Sequence, residues 1–189
     1  MKIVLSPSKT KTITTVDNNG AVHTAVQDGQ FQPHITQNLV KHVQSLDVAA
    51  LGKALKLKDD KAQAFFDFYQ DFKSHPVGLA CESYDGIAFK YLDWQNLSDE
   101  AKAFGESHLV VMSALYGVVE PMMGVRDYRL DMVDKVGINL YDTWREAVDA
   151  YFHKEDWILN LASKEYAKMV NHPKVVTVEF WELRGDTFK

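Results

Sequence analysis

The amino-acid sequence predicts an α/β fold: a single domain with a mainly parallel or mixed central sheet, helices around it and a helical-hairpin insertion. Three observations carry this. Five short apolar segments, at 2–5, 77–81, 109–112, 157–161 and 175–183, alternate with stretches of helical periodicity. Polar, turn-forming clusters follow four of those segments, at the strand ends where open α/β sheets bind ligands. The 189 residues, 46% hydrophobic and 25% charged, suffice for one domain, read as 1–189, with a sizeable core.

Residues 2–5 are apolar and stop at Ser6-Pro7-Ser8-Lys9-Thr10. A strand feeding such a loop can converge backbone N–H groups, hydroxyls and one ammonium on an anion. The Gly-rich spacing of a P-loop is absent, so a plain surface loop stays the other reading. Residues 11–33 are polar, with a turn signal at Asp17-Asn18-Asn19-Gly20, and read as an irregular excursion.

The helical subregion covers about 35–75. Thr36 is placed as the cap of a helix with Ile35, Leu39, Val43 and Leu46 on one face. Asp47 caps the next, with Val48, Leu51 and Leu55 in register. After a break at Leu57-Lys58, Ala62, Phe65, Phe66, Tyr69 and Phe72 recur at helical spacing. The tight joint, with Lys53, Lys56, Lys58 and Lys61 around it, has two readings. One is a helix-hairpin-helix whose loop amides meet a DNA backbone; the other is an antiparallel pair packed on a core. The Gly-apolar-Gly loop of the former is missing, and Gly52 stands alone.

Residues 77–81 read as a strand running into Tyr84-Asp85-Gly86, with Cys81 a buried small hydrophobe that no cation flanks. Ser98 caps a helix over 99–106, with acids in its first turn. Strand 109–112 turns at Ser113 and Tyr116-Gly117. Asn139 or Asp142 precedes an amphipathic helix with Leu140, Trp144, Ala147, Val148 and Tyr151 on one face. Strand 157–161 carries Asn160 at its end, and Ser163 caps a helix over 164–170 that His172-Pro173 ends. The last strand, 175–183, meets a turn at Arg184-Gly185-Asp186. It reads as a hairpin with its second arm cut short, so the chain is expected to be shorter than the natural protein.

The net charge of −5 argues against bulk nucleic-acid binding, but it is unevenly placed. Residues 1–75 hold nine Lys and seven Asp. Residues 76–189 hold 12 Lys plus Arg, among them all four Arg, and 19 acids. A local anion site stays open. No apolar run approaches the roughly 18 residues of a membrane span, and the N-terminus lacks a signal-peptide apolar region. A single cysteine excludes an internal disulfide. The expectation is a cytoplasmic protein with no membrane partner. The seven His are scattered without ligand-like spacing, so no metal ligand and no cofactor are assigned.

Arg126-Asp127-Tyr128-Arg129-Leu130-Asp131 sets two guanidiniums, two carboxylates and a phenol within six residues. This suits bidentate recognition of phosphate or carboxylate, or equally an internal ion-pair network that pins a loop. Tyr84-Asp85-Gly86 and Tyr116-Gly117 put phenols beside glycines, where a backbone or base can approach closely. Asn160, Ser163, Glu165 and Tyr166 can complete a site at a helix N-terminus. The candidate cleft is Ser6, Lys9, Tyr84, Asp85, Gly86, Ser113, Tyr116, Gly117, Tyr128, Arg129, Asp131, Asn160, Ser163, Glu165 and Tyr166. Within it Tyr84/Asp85, Tyr128/Asp131 and Glu165/Tyr166 are candidate acid–base pairs. Whether the chain is an enzyme is left open.

Together these motifs resemble the YaaA family of peroxide-stress proteins. The resemblance rests on Ser6-Pro7-Ser8-Lys9-Thr10, Tyr84-Asp85-Gly86, Ser113-Ala114-Leu115-Tyr116-Gly117 with Pro121, Tyr128-Arg129-Leu130-Asp131-Met132, Asn139-Leu140-Tyr141 with Trp144, and Asn160-Leu161-Ala162-Ser163 with Glu165-Tyr166. It implies a YaaA-like fold with a positively charged cleft and a helix-hairpin-helix-like element. It also implies a cytoplasmic role in oxidative (hydrogen peroxide) stress, through iron homeostasis that limits free-iron damage, and binding of double-stranded DNA. The sequence departs from the family's pattern at Glu120, Met123, Asp127 and Asp131, where Arg, Asp, Pro and Glu are usual. The family's C-terminal basic segment is absent. The alternative is an enzyme acting on a nucleotide-like or other anionic small molecule at the carboxyl edge of the sheet.

Overall fold

The computed structural model describes residues 1–13 and 31–179, with the backbone alone of 183–184 and 187–188. The turn signal at 17–20 and His23 lie outside the described residues. In chain order the first half holds β1 (Lys2–Leu5), α1 (Pro33–Gln44), α2 (Val48–Leu55), α3 (Asp59–Gln70), β2 (Gly78–Leu79), α4 (Ala80–Ser83), α5 (Ile87–Leu92) and α6 (Asp99–His108). Then follow β3 (Leu109–Ser113), β4 (Gly117–Val119), β5 (Gly124–Val125), α7 (Leu140–Phe152), β6 (Ile158–Asn160), α8 (Lys164–Ala167), β7 (Val175–Thr177), β8 (Leu183–Arg184) and β9 (Thr187–Phe188). Among the described residues no helix is long and apolar enough to cross a membrane.

One five-stranded sheet, in the order β4-β3-β1-β6-β7, organises the chain. β1 lies parallel between β3 and β6, with Ile3 opposite both Leu109 and Leu159. β6 continues parallel to β7, and β4 returns antiparallel along β3. The sheet is thus mixed and mostly parallel, as the sequence predicts. All five residues of β3 are buried, which explains its unbroken apolar run: a strand covered on both faces does not alternate.

Side chains at the caps place several helices as expected. Asp47 accepts from Ala50 N at 2.7 Å, Ser98 from Ala101 N at 3.2 Å, and Asn139 from both Tyr141 N and Asp142 N. The hairpin α2–α3 turns at Lys56, which sits in the left-handed region at φ 55. Gly52 lets the two helices close: a Cβ there would stand 2.8 Å from that of Ala62. Leu39, Leu51, Leu55 and Tyr69 share one buried cluster with Val4, Val110, Met112, Trp144 and Ile158, so the helical subregion and the sheet have a common core.

Four expectations need correction. Residues 77–81 do not form a strand of the central sheet. Only Gly78–Leu79 is extended, it pairs with β5, and the chain turns helical at Ala80 because Ala80 and Cys81 donate to Met123 O and Pro121 O. The last strand of the sheet ends at Thr177, and Leu183–Arg184 pairs instead with Thr187–Phe188. Thr36 is not a cap: α1 begins at Pro33, and the Thr36 hydroxyl donates across the core to Leu115 O at 3.1 Å. Ser163 makes no side-chain cap bond, and its helix stops at Ala167.

Candidate functional site

The carboxyl ends of β1, β3 and β6 open on one edge, and their loops interlock there. Ser6 and Ser163 share two hydrogen bonds, hydroxyl to hydroxyl at 3.1 Å and Ser163 N to Ser6 Oγ at 2.9 Å. Asn160 closes its own turn by accepting from Ala162 N and donates to Thr177. These three polar residues are spent on joining loops. Ser113 accepts from Leu115 N and Tyr116 N, which holds the turn into β4, and Gly117 follows at φ +74 with Trp144 against it.

A line of buried hydroxyls runs inward from Ser113. Its oxygen pairs with Tyr128 Oη at 2.7 Å, and Tyr128 pairs with Tyr84 Oη at 3.2 Å. Tyr116 meets the Tyr128 ring edge-on at 5.2 Å and accepts from Arg126 N. Burial raises the Tyr84 phenol well above its ordinary value and pushes Tyr128 up to about 12. Both are held as neutral proton donors at physiological pH.

Beside this line lies the charged loop. Asp131 accepts from Arg129, pairs with Lys9 at 3.2 Å, and takes a hydrogen bond from Tyr166 Oη at 3.2 Å. Burial raises the Asp131 carboxyl, but Arg129 and Lys9 outweigh it and hold it below the usual carboxylate range. Asp134 accepts from Asp131 N at 2.8 Å and stands 4.0 Å from the Arg129 guanidinium. The ion-pair network that pins the loop is therefore real. Lys9, 69% exposed, is its solvent-facing cation. Arg126 lies apart from it. It is buried, donates to His75 O and Lys73 O, and rests on the Phe72 ring as a strut to the helical subregion.

The three candidate acid–base pairs each find other partners. Tyr84 joins Tyr128, while Asp85 pairs with Lys90 at 3.1 Å and accepts from Thr12. Tyr128 joins Ser113, while Asp131 takes Arg129 and Lys9. Tyr166 reaches Asp131, while Glu165 accepts from Val133 N. Gly86 sits against Ser8, where a Cβ would come 2.9 Å from the hydroxyl.

Residues outside the sequence-based selection complete the arrangement. Lys11 is buried, donates to Tyr128 O at 2.7 Å and lies 4.1 Å above the Tyr128 ring centre. Burial lowers its pKa to about 8. Tyr69 donates to Arg129 O at 3.1 Å and fastens α3 to the charged loop. A lysine next to a threonine-rich loop and a tyrosine in an aromatic stripe carry no local signal of this. Burial raises the Cys81 thiol far above its usual value, which deprives it of the thiolate that reacts with peroxide. Among the described residues no three His, Cys, Asp or Glu side chains are grouped to hold a metal ion.

Comparison with known proteins decides the family. The model of a family described as "Peroxide stress protein YaaA" matches residues 1–189. The chain belongs to the YaaA peroxide-stress family. A UPF0246 protein of Finegoldia magna is 33% identical over 170 residues, covering 90% of this chain and 66% of that relative. One from Rickettsia bellii is 31% identical over 81% of this chain and 66% of its own length, and one from Rickettsia felis 28% over 97% and 77%. The chain thus spans just under two thirds of the length of the first two YaaA-family relatives. Glu120 accepts from Tyr151 Oη of α7 at 3.0 Å, away from the charged loop.

Proposed function

We propose that the chain limits peroxide damage by binding the backbone of double-stranded DNA along the α2–α3 hairpin and the 126–134 loop. One observation carries the reading: the lysine-bearing hairpin and the charged loop are one bonded unit. Tyr69 of α3 donates to Arg129 O. Burial raises the Asp134 carboxyl, and Lys56 at the hairpin joint is among the cations that oppose it. Lys53, Lys56, Lys58 and Lys61 are all exposed, and Lys9 extends the same margin. Ammonium groups fixed along a duplex release its condensed counterions. Fe(II) among those counterions is displaced with them, so peroxide reduction takes place away from the DNA. The reading belongs to the cytoplasm, where the DNA is.

Titrating this chain with a duplex at several salt concentrations tests it. Affinity should fall linearly on a log–log plot, and Lys56→Gln with Lys58→Gln should flatten the slope by about 0.9 per lost contact. Absence of binding at physiological salt, or a flat salt response, sinks the reading.

A second reading, an enzyme acting on an anionic small molecule at this edge, is favoured by Lys9 in solvent beside Lys11, whose pKa of about 8 suits proton transfer. A thermal-shift screen of nucleotides should then find a ligand whose effect Lys9→Ala abolishes. An unchanged shift in Lys9→Ala removes this reading.

A further inference from the structure

Tyr166 of α8 is buried, 4% exposed, and its hydroxyl donates to Asp131 Oδ1 at 3.2 Å. A phenol that has lost an electron is a far stronger acid than a carboxylic acid. Its proton then passes to a base already within hydrogen-bond reach. Tyr166 has that base, and Arg129 and Lys9 keep the Asp131 carboxyl ionised. Three other buried phenols of this edge are bonded to weaker acceptors. Tyr84 and Tyr128 pair with each other and with Ser113, and Tyr69 donates to Arg129 O. Taking an electron from one of these would leave a buried cation, which is costly. Tyr151 also donates to a carboxylate, Glu120, but its ring is half-buried. The ammonium groups of Lys2 and Lys154 lie 5.7 and 5.6 Å from that ring's centre, where they oppose the loss of an electron.

We propose that Tyr166 is a redox-active tyrosine that takes up one-electron oxidising equivalents, of the kind that peroxide and Fe(II) generate. The inference goes beyond the duplex-binding reading and does not rest on it. The electron leaves the Tyr166 ring for the oxidant, and the phenolic proton crosses the hydrogen bond to Asp131. The products are a Tyr166 phenoxyl radical, a neutral Asp131 carboxylic acid and the oxidant reduced by one electron. Neutralising Asp131 strands no buried charge, because Asp134 remains 4.0 Å from the Arg129 guanidinium and Lys9 faces solvent. A one-electron donor such as ascorbate returns the electron, Asp131 returns the proton, and the phenol is restored. Electrons cross short stretches of protein without contact between donor and acceptor. Burial therefore leaves that route open while it keeps the radical from coupling with other radicals in solution.

Oxidising this chain, free of DNA, with hexachloroiridate(IV) and following it by freeze-quench electron paramagnetic resonance tests the proposal. A long-lived signal should appear and should narrow when the tyrosines are ring-deuterated. Tyr166→Phe should remove it, whereas Tyr151→Phe and Tyr91→Phe, the latter at an 88% exposed position, should leave it unchanged. Asp131→Asn keeps the phenol but removes its base, and should slow radical formation by about 100-fold. In the wild type the rate of formation should be flat from about pH 6 to 9, because the base is internal and already ionised. This last measurement needs no variant, and it decides the matter should Tyr166→Phe or Asp131→Asn fail to fold. A rate that climbs with pH, a signal that ring deuteration does not alter, a signal that survives in Tyr166→Phe, or an unchanged rate in a folded Asp131→Asn would each overturn it.

Discussion

Burying an ammonium costs more than one hydrogen bond returns, and Lys11 shows how the fold settles the difference. It is 8% exposed, donates to Tyr128 O and rests on the Tyr128 ring. Burial lowers its pKa to about 8, against the opposing pull of Asp127 and Asp131. In the unfolded chain the same amine holds its proton to about 10.4. Between those two values the unfolded state binds more protons, so stability rises with pH across that window. Urea unfolding should show wild type gaining stability from about pH 8 to 10 relative to Lys11→Met. Parallel profiles for the two proteins would mean that Lys11 is hydrated in the folded state. Asp131 gives a slope of the same sign in the acid range: its depressed pKa contributes stability that is fully present above the ordinary carboxylate value and is lost as pH falls through the lower folded value.

At the scale of elements, the α2–α3 hairpin depends on one crossing. Propensity alone says that Gly52→Ala stabilises a helix by about 1 kcal/mol. Here the new Cβ would stand 2.8 Å from Ala62 Cβ, and a carbon pair cannot remain that close. The substitution should therefore lower stability, by about 1–3 kcal/mol. A raised Tm in a melting experiment would show slack at the crossing. The hairpin itself is legible in the sequence because cap, period and break agree over many residues. The three parallel strands at the sheet centre are equally legible as bounded apolar runs. The strand at 77–81 is not, since an apolar run reads the same whether it pairs in the main sheet or donates to a loop. β4 escapes notice because its two valines follow a turn without alternation. In the candidate site, residue types were visible and partners were not. Tyr84 lies next to Asp85 in the chain but bonds Tyr128, 44 residues away, and Thr36 looks like a cap while bonding Leu115. Long-range pairing of this kind leaves no trace in spacing.

For the whole molecule the issue is whether the lysine hairpin moves independently of the sheet edge. Its packing says that it does not. Leu51 and Leu55 of α2 and Tyr69 of α3 lie in the same buried cluster as Val110 and Trp144, and Tyr69 is bonded to the charged loop. In the proposed duplex-binding reading, a surface assembled from two such parts would meet its partner without first ordering itself, which spares the association that entropy. The consequence for folding is a single cooperative transition. Leu51 is fully buried, and Leu51→Ala should cost about 2–5 kcal/mol. In a domain of this size that lowers Tm by roughly 2–4 °C per kcal/mol. The shift should be equal by far-UV circular dichroism, which follows the helices, and by tryptophan fluorescence, which is sensitive to Trp144 and Trp94 near the sheet. An early loss of helix signal in Leu51→Ala, with fluorescence unmoved, would instead make the hairpin a separately melting arm, and its lysines and the charged loop would no longer form one binding surface.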